Sequence, residues 1–162
     1  MILALALALA VAARESLGVW SGWGAFRDAA PRRCFAVAVP ARTGGRGGGR
    51  PFASIASWPA RARREVVFVR LSAPRDERAP VTLSVGERHF RLAGRGDGVW
   101  SPDPATDRAL VAALRGERSM SVEAVNPAGR PFADTYLLAG AATAIDAATL
   151  GCLVRDGRET PR

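Results

Sequence analysis

Lysine is absent from the 162-residue chain, so all 23 basic side chains are arginine, and glutamine is absent too. That bias is the one a GC-rich genome imposes, through codons favouring arginine and alanine. Histidine occurs once, at His89, and cysteine only at Cys34 and Cys152. Each shortage excludes chemistry. Two cysteines and one histidine cannot fill a structural zinc site unless carboxylates help. No C-x-x-C redox pair is present. A Ser-His-Asp system or a thiol–histidine pair would hang on His89 alone, and His89 falls in an alternating segment that reads as a surface or edge strand. The glycine-rich stretch Thr43 to Arg50 lacks the Gly-Lys-Ser/Thr ending of a phosphate loop and reads as a flexible hairpin connection. No catalytic residue, metal or cofactor is therefore assigned, and the expectation is a protein that is not an enzyme.

The apolar share is 48% and the charged share 23%, a globular rather than a disordered balance. A chain of this length suits one domain. The net charge of +8 is unevenly placed: between Arg27 and Arg64 stand nine arginines and one acid, Asp28, while elsewhere arginines and acids cancel. Such a field attracts polyanions.

Ile2 to Val11 is an unbroken apolar run. It is too short for a bilayer, which needs about 20 residues, and suits the core of a signal peptide. Ala10-Val11-Ala12 supplies the small-x-small cleavage pattern, although no Lys or Arg follows Met1. Residues 1–13 are thus expected to be a removable signal peptide, 14–154 a single β-rich domain and 155–162 a loose polar tail. No later segment has 18 apolar residues, so the mature protein is expected to have no transmembrane segment and to reach the periplasm, the cell surface or the exterior. In that oxidising space the two cysteines are expected to pair as Cys34–Cys152.

The rest reads as short strands between turns. Val19 to Phe26 carries Trp20, Trp23 and Phe26, expected mainly to serve the core. Cys34–Val39, Phe52–Trp58, Glu65–Leu71, Val81–Val85 and His89–Leu92 follow, the last two flanking a Gly86-Glu87-Arg88 hairpin. Asp103 and Pro104 start a helix, and Gly116 ends it. Met120–Val125 and Phe132–Ala139 close the strand set. A second helix is expected from Thr143, capped by its hydroxyl, to about Leu150, with Gly151 turning the chain to deliver Cys152. About eight strands and two short helices make a mainly β protein, an antiparallel β-sandwich or partly closed barrel.

Three stretches, WGAFRDAAPRRCFAVAVPAR, PFASIASWP and SMSVEAVNPAGRPFADTYLLAGAATAIDAATLGC, together resemble the invasion-associated locus B family of alphaproteobacterial exported proteins, in a short branch of it. The resemblance spans about Trp20 to Cys152, and AIDAATLGC is its most specific part. It implies a signal peptide, a periplasmic or surface location, a β-rich fold, a disulfide and no known catalytic residues. Better-known members have a Cys close after the opening Trp. Here Trp23 stands eleven residues before Cys34, so fold and export are carried over and the invasion role is not.

Arg32 and Arg33, with Arg61, Arg63 and Arg64, flank two successive strands. Should those strands pair, the arginines would meet on one edge as an anion site. The reading is an exported envelope protein, arginine-rich and non-enzymatic, binding anionic envelope or host-surface ligands or partner proteins, with nucleic acid disfavoured by export. The alternatives are a small periplasmic hydrolase using carboxylates among Asp103, Asp107, Glu123 and Asp134, or a purely structural envelope protein.

Overall fold

Strands alternate their side chains between two faces, and in the first half of this chain small residues take one face and aromatic residues the other. The computed structural model describes residues 14–153; the expected signal peptide and polar tail lie outside them. β1 (Arg14–Trp20) and β2 (Trp23–Asp28) form a hairpin across Ser21 and Gly22, both at positive φ as a tight two-residue turn demands. The aromatic stretch expected as one strand is therefore two. β3 (Arg33–Ala38), β4 (Phe52–Trp58) and β5 (Arg63–Arg70) continue the meander. β6 (Val81–Val85), β7 (Arg88–Arg95) and the three-residue β8 (Gly98–Trp100) precede helix α1 (Pro104–Leu114), and β9 (Ser119–Val125), β10 (Pro131–Leu137) and helix α2 (Ala141–Leu153) complete the described chain.

All ten strands pair antiparallel in the order β1-β2-β3-β4-β5-β8-β7-β6-β9-β10, a single sheet curled into a half-barrel. The curl turns at β7, whose residues 88–92 pair with β6 and 93–95 with β8. Of the two architectures expected, this is the partly closed barrel, with ten strands instead of about eight. The additional ones are the split first segment and β8, too short to show a period.

The glycine-rich connection after β3 is packed, contrary to the flexible loop expected. Arg42 bridges to Thr135 on the outer strand β10, and the buried Asp134 carboxylate accepts from the Gly44 N–H at 3.1 Å and the Ser72 N–H at 2.8 Å. A Cβ on Gly44 would lie 2.5 Å from the Ala133 carbonyl oxygen, so only glycine lets the loop lie this close to β10.

α1 starts as expected: Asp103 caps it by accepting from the Thr106 N–H at 2.8 Å, with Pro104 in the first turn. Its buried Asp107 accepts from the Val67 N–H at 2.8 Å and from the Ser101 hydroxyl, tying the helix to β5. α2 corrects the expectation at both ends. It begins at Ala141, leaving Thr143 exposed inside the first turn, and it runs through Gly151 so that Cys152 sits on the helix. Gly140 before it has φ +84°, and a Cβ there would meet the Trp20 carbonyl oxygen at 2.1 Å. The helix lies on β1–β4 across a seam of small side chains: Ala141, Ala144 and Ala148 face Ala25, Ala36, Ala38 and Ala53, all buried.

Cys34 of β3 and Cys152 of α2 form a disulfide with Cα atoms 5.7 Å apart, at a sequence separation of 118. The Cys34→Ala/Cys152→Ala double variant should lose about 2–5 kcal/mol in urea denaturation, the typical effect of losing a native staple that closes a long loop. An unchanged midpoint would mean that the seam holds without it. Ala36→Leu should cost about 1–3 kcal/mol in the same assay, because a larger side chain at the fully buried seam forces helix and sheet apart.

Candidate functional site

The face of the sheet away from α2 carries an open cleft of about 710 Å³. Register builds it. Phe26, Phe35, Ala56 and Val66 lie side by side across β2–β5, and the next row holds Val37, Ser54, Phe68 and Trp100 across β3, β4, β5 and β8. Phe26 and Phe35 stack with ring centroids 5.6 Å apart, and Phe52 and Phe68 approach to 5.7 Å. The floor is therefore aromatic and aliphatic, with no helix on it.

One end of this cleft is cationic. β3 begins where β4 ends, so Arg33 stands by Trp58, and the 3₁₀ turn Pro59–Arg61 brings Arg61 and Arg63 to the same end. Arg14 reaches in from β1. The Arg33 guanidinium lies 4.3 Å and the Arg14 guanidinium 5.1 Å from the Phe35 ring centroid, both within cation–π range. These two cover Phe35, leaving it 7% exposed although it points away from the core. Asp28 holds them in place, 2.7 Å from Arg14 Nε and 2.8 Å from Arg33 Nη2. The hydrogen bond from Arg14, followed by the bond and charge of Arg33, keeps the Asp28 carboxyl below the usual carboxylate range. Arg61 and Arg63 have no carboxylate partner among the described residues, and both are exposed. At the far end Arg70 is ion-paired with Asp97 at 3.4 Å.

The strands flanked by the five sequence-selected arginines do pair, and Arg33, Arg61 and Arg63 come together at the cleft. Arg64 lines a separate recess with Thr149 and Cys152, and Arg32 is half-buried in the turn before β3. Arg14 and the aromatic floor were not singled out. The signal of the floor lies in the alternation of β3 and β4, where Phe35, Val37, Phe52 and Trp58 interleave with Cys34, Ala36, Ala53 and Ile55. Of the aromatic trio expected in the core, Trp23 is buried and donates its indole N–H to the Leu137 carbonyl at 2.8 Å, while Phe26 belongs to the cleft.

The four carboxylates considered for hydrolysis, two at the start of α1, one on β9 and one on β10, have separate partners. Asp103 caps α1, Asp107 and Asp134 are buried against backbone N–H groups and serine hydroxyls, and Glu123 of β9 accepts from Ser84 and Ser121. His89 is exposed, with Nδ1 2.9 Å from the Ser84 hydroxyl. Ser84 thus sits between the histidine and Glu123, whereas in a Ser-His-acid relay the histidine is the central member. Among the described residues no cluster of three or more His, Cys, Asp or Glu side chains could hold a metal ion, and no helix is long and apolar enough to cross a membrane. No protein family, curated protein or solved structure matches this chain.

The depressed Asp28 carboxyl makes a pH prediction. A carboxyl lowered in the folded state adds stability that is present above the unfolded value of about 3.9 and lost as pH falls through the folded value. Denaturation of wild type and Asp28→Asn from about pH 7 to about pH 2 should show the wild type more stable at neutral pH and the two converging in acid. Parallel curves across the range would mean that Asp28 is not held by its arginines.

Proposed function

We propose that this chain is an exported, non-enzymatic envelope protein, akin to the invasion-associated locus B family, that engages anionic surface ligands through the arginine end of its cleft. One observation carries the reading: Arg61 and Arg63, which have no carboxylate partner among the described residues, converge with the Asp28-paired Arg33 beside an apolar floor that no helix covers. Guanidinium groups match phosphate and carboxylate oxygens bidentately. Export is supported by the apolar run and Ala10-Val11-Ala12 pattern in the sequence and by the Cys34–Cys152 disulfide, a bond that persists mainly in oxidising compartments. A binding role is supported by the carboxylates at hand being spent on caps and backbone hydrogen bonds.

Co-sedimentation with vesicles tests it. The protein should bind phosphatidylglycerol vesicles and not phosphatidylcholine ones, and binding should fall steeply as salt rises, since exposed charges are screened beyond about 8–10 Å at physiological ionic strength. Arg61→Ser/Arg63→Ser/Arg64→Ser should weaken it most, by roughly 1 kcal/mol for each surface arginine lost. Salt-insensitive binding, or none, would refute the reading.

A further inference from the structure

The cleft is polarised along its length. Along β4 it runs from Trp58 at the arginine end to Phe52 at the other, roughly 20 Å at about 3.3 Å per residue. The side chains lining it between those ends are apolar except Ser54, and Arg70, opposite Phe52 at the far end, is paired with Asp97. A small hydrophilic anion would use the arginines and leave the floor wet. A neutral apolar molecule would use the floor and leave Arg61 and Arg63 without a counter-charge. Both halves are satisfied by one molecule carrying an anionic head on a single apolar chain. The size agrees: about 710 Å³ lies within the roughly 300–1,000 Å³ of small-ligand sites. The floor also suits a chain more than a flat ring system, because its rings belong to separate strands and the small, half-buried Ser54 leaves a low track between them.

Resting on the anionic-ligand reading above, we infer that the cleft binds a single-chain fatty-acyl anion, its head held by Arg61 and Arg63 beside Arg33 and its chain laid over Ser54 toward Phe52 and Phe68. Ser54→Phe would fill the track without touching an arginine, and Val37→Phe would narrow the same row from β3.

The test uses the oxidised protein purified from a periplasmic extract, titrated calorimetrically with monomeric dodecanoate and, separately, with inorganic phosphate, while tryptophan emission is followed. Dodecanoate should bind one per chain and shift the emission of Trp58. Phosphate should bind about tenfold more weakly or less, and Arg61→Ser/Arg63→Ser should weaken dodecanoate about tenfold, the effect of losing charge-assisted hydrogen bonds. Ser54→Phe, or Val37→Phe should the first fail to fold, should abolish dodecanoate binding yet keep salt-sensitive binding to phosphatidylglycerol vesicles. Vesicle binding without dodecanoate binding overturns this inference and leaves the broader reading intact, whereas loss of both overturns both. Wild-type dodecanoate affinity in the folded filling variant also overturns it. So does a dimer in sedimentation equilibrium that Ser54→Phe converts to monomer, since a second copy would then occupy the cleft.

Discussion

The close approach of α2 to the sheet is the constraint on which the other features depend. A helix can lie tightly on a sheet only where both surfaces carry small side chains, and here alanines supply them on both. Bulky residues in β2–β4 are then confined to alternate positions, which point to the opposite face. Ile55 and Trp23 are the exceptions on the core side, and Trp23 sits at the start of β2, where its indole N–H finds the Leu137 carbonyl. The disulfide acts on the same seam, fixing the end of the helix to the start of β3. The aromatic cleft is thus the other side of the helix packing.

That displacement has an electrostatic consequence. Phe35, placed on the uncovered face, would be a large exposed ring. Arg14 and Arg33 lie over it, and Asp28 neutralises part of the charge gathered there. Two arginines are therefore engaged in covering the floor, while Arg61 in the turn after β4 and Arg63 at the start of β5 remain exposed. The division of labour follows from strand direction: antiparallel pairing puts the start of β3, the end of β4 and the start of β5 at one end of the cleft.

A second buried centre closes the half-barrel. Asp134 on β10 receives the Gly44 and Ser72 N–H groups and the Ser72 hydroxyl, joining the glycine-rich connection and the segment after β5 to an outer strand. Asp107 does the same for α1 and β5. These aspartates resemble candidate catalytic carboxylates in the sequence, yet each is turned inward to pair backbone groups that burial would otherwise leave unsatisfied.

Local signals in the sequence were enough for the mainly antiparallel β class, for most strands, for the cap at Asp103 and for the Cys34–Cys152 pair, because alternation, capping chemistry and cysteine scarcity each act within a few residues or leave a single choice. They were not enough for the hairpin at Ser21-Gly22, for β8, for the end of α2 or for the packed glycine loop. The turn at Ser21-Gly22 lies inside an otherwise continuous aromatic segment, β8 is too short to display a period, Gly151 reads as a helix stop until the packing of α2 on the sheet carries the helix past it, and Gly44 reads as flexible until β10 lies against it. Likewise the sequence held the arginines and the alternating aromatics, but which of them share a surface was decided only by register and by the side of the sheet that α2 covers. Both are long-range choices, made by the burial of the alanine seam and not by any stretch of chain acting alone.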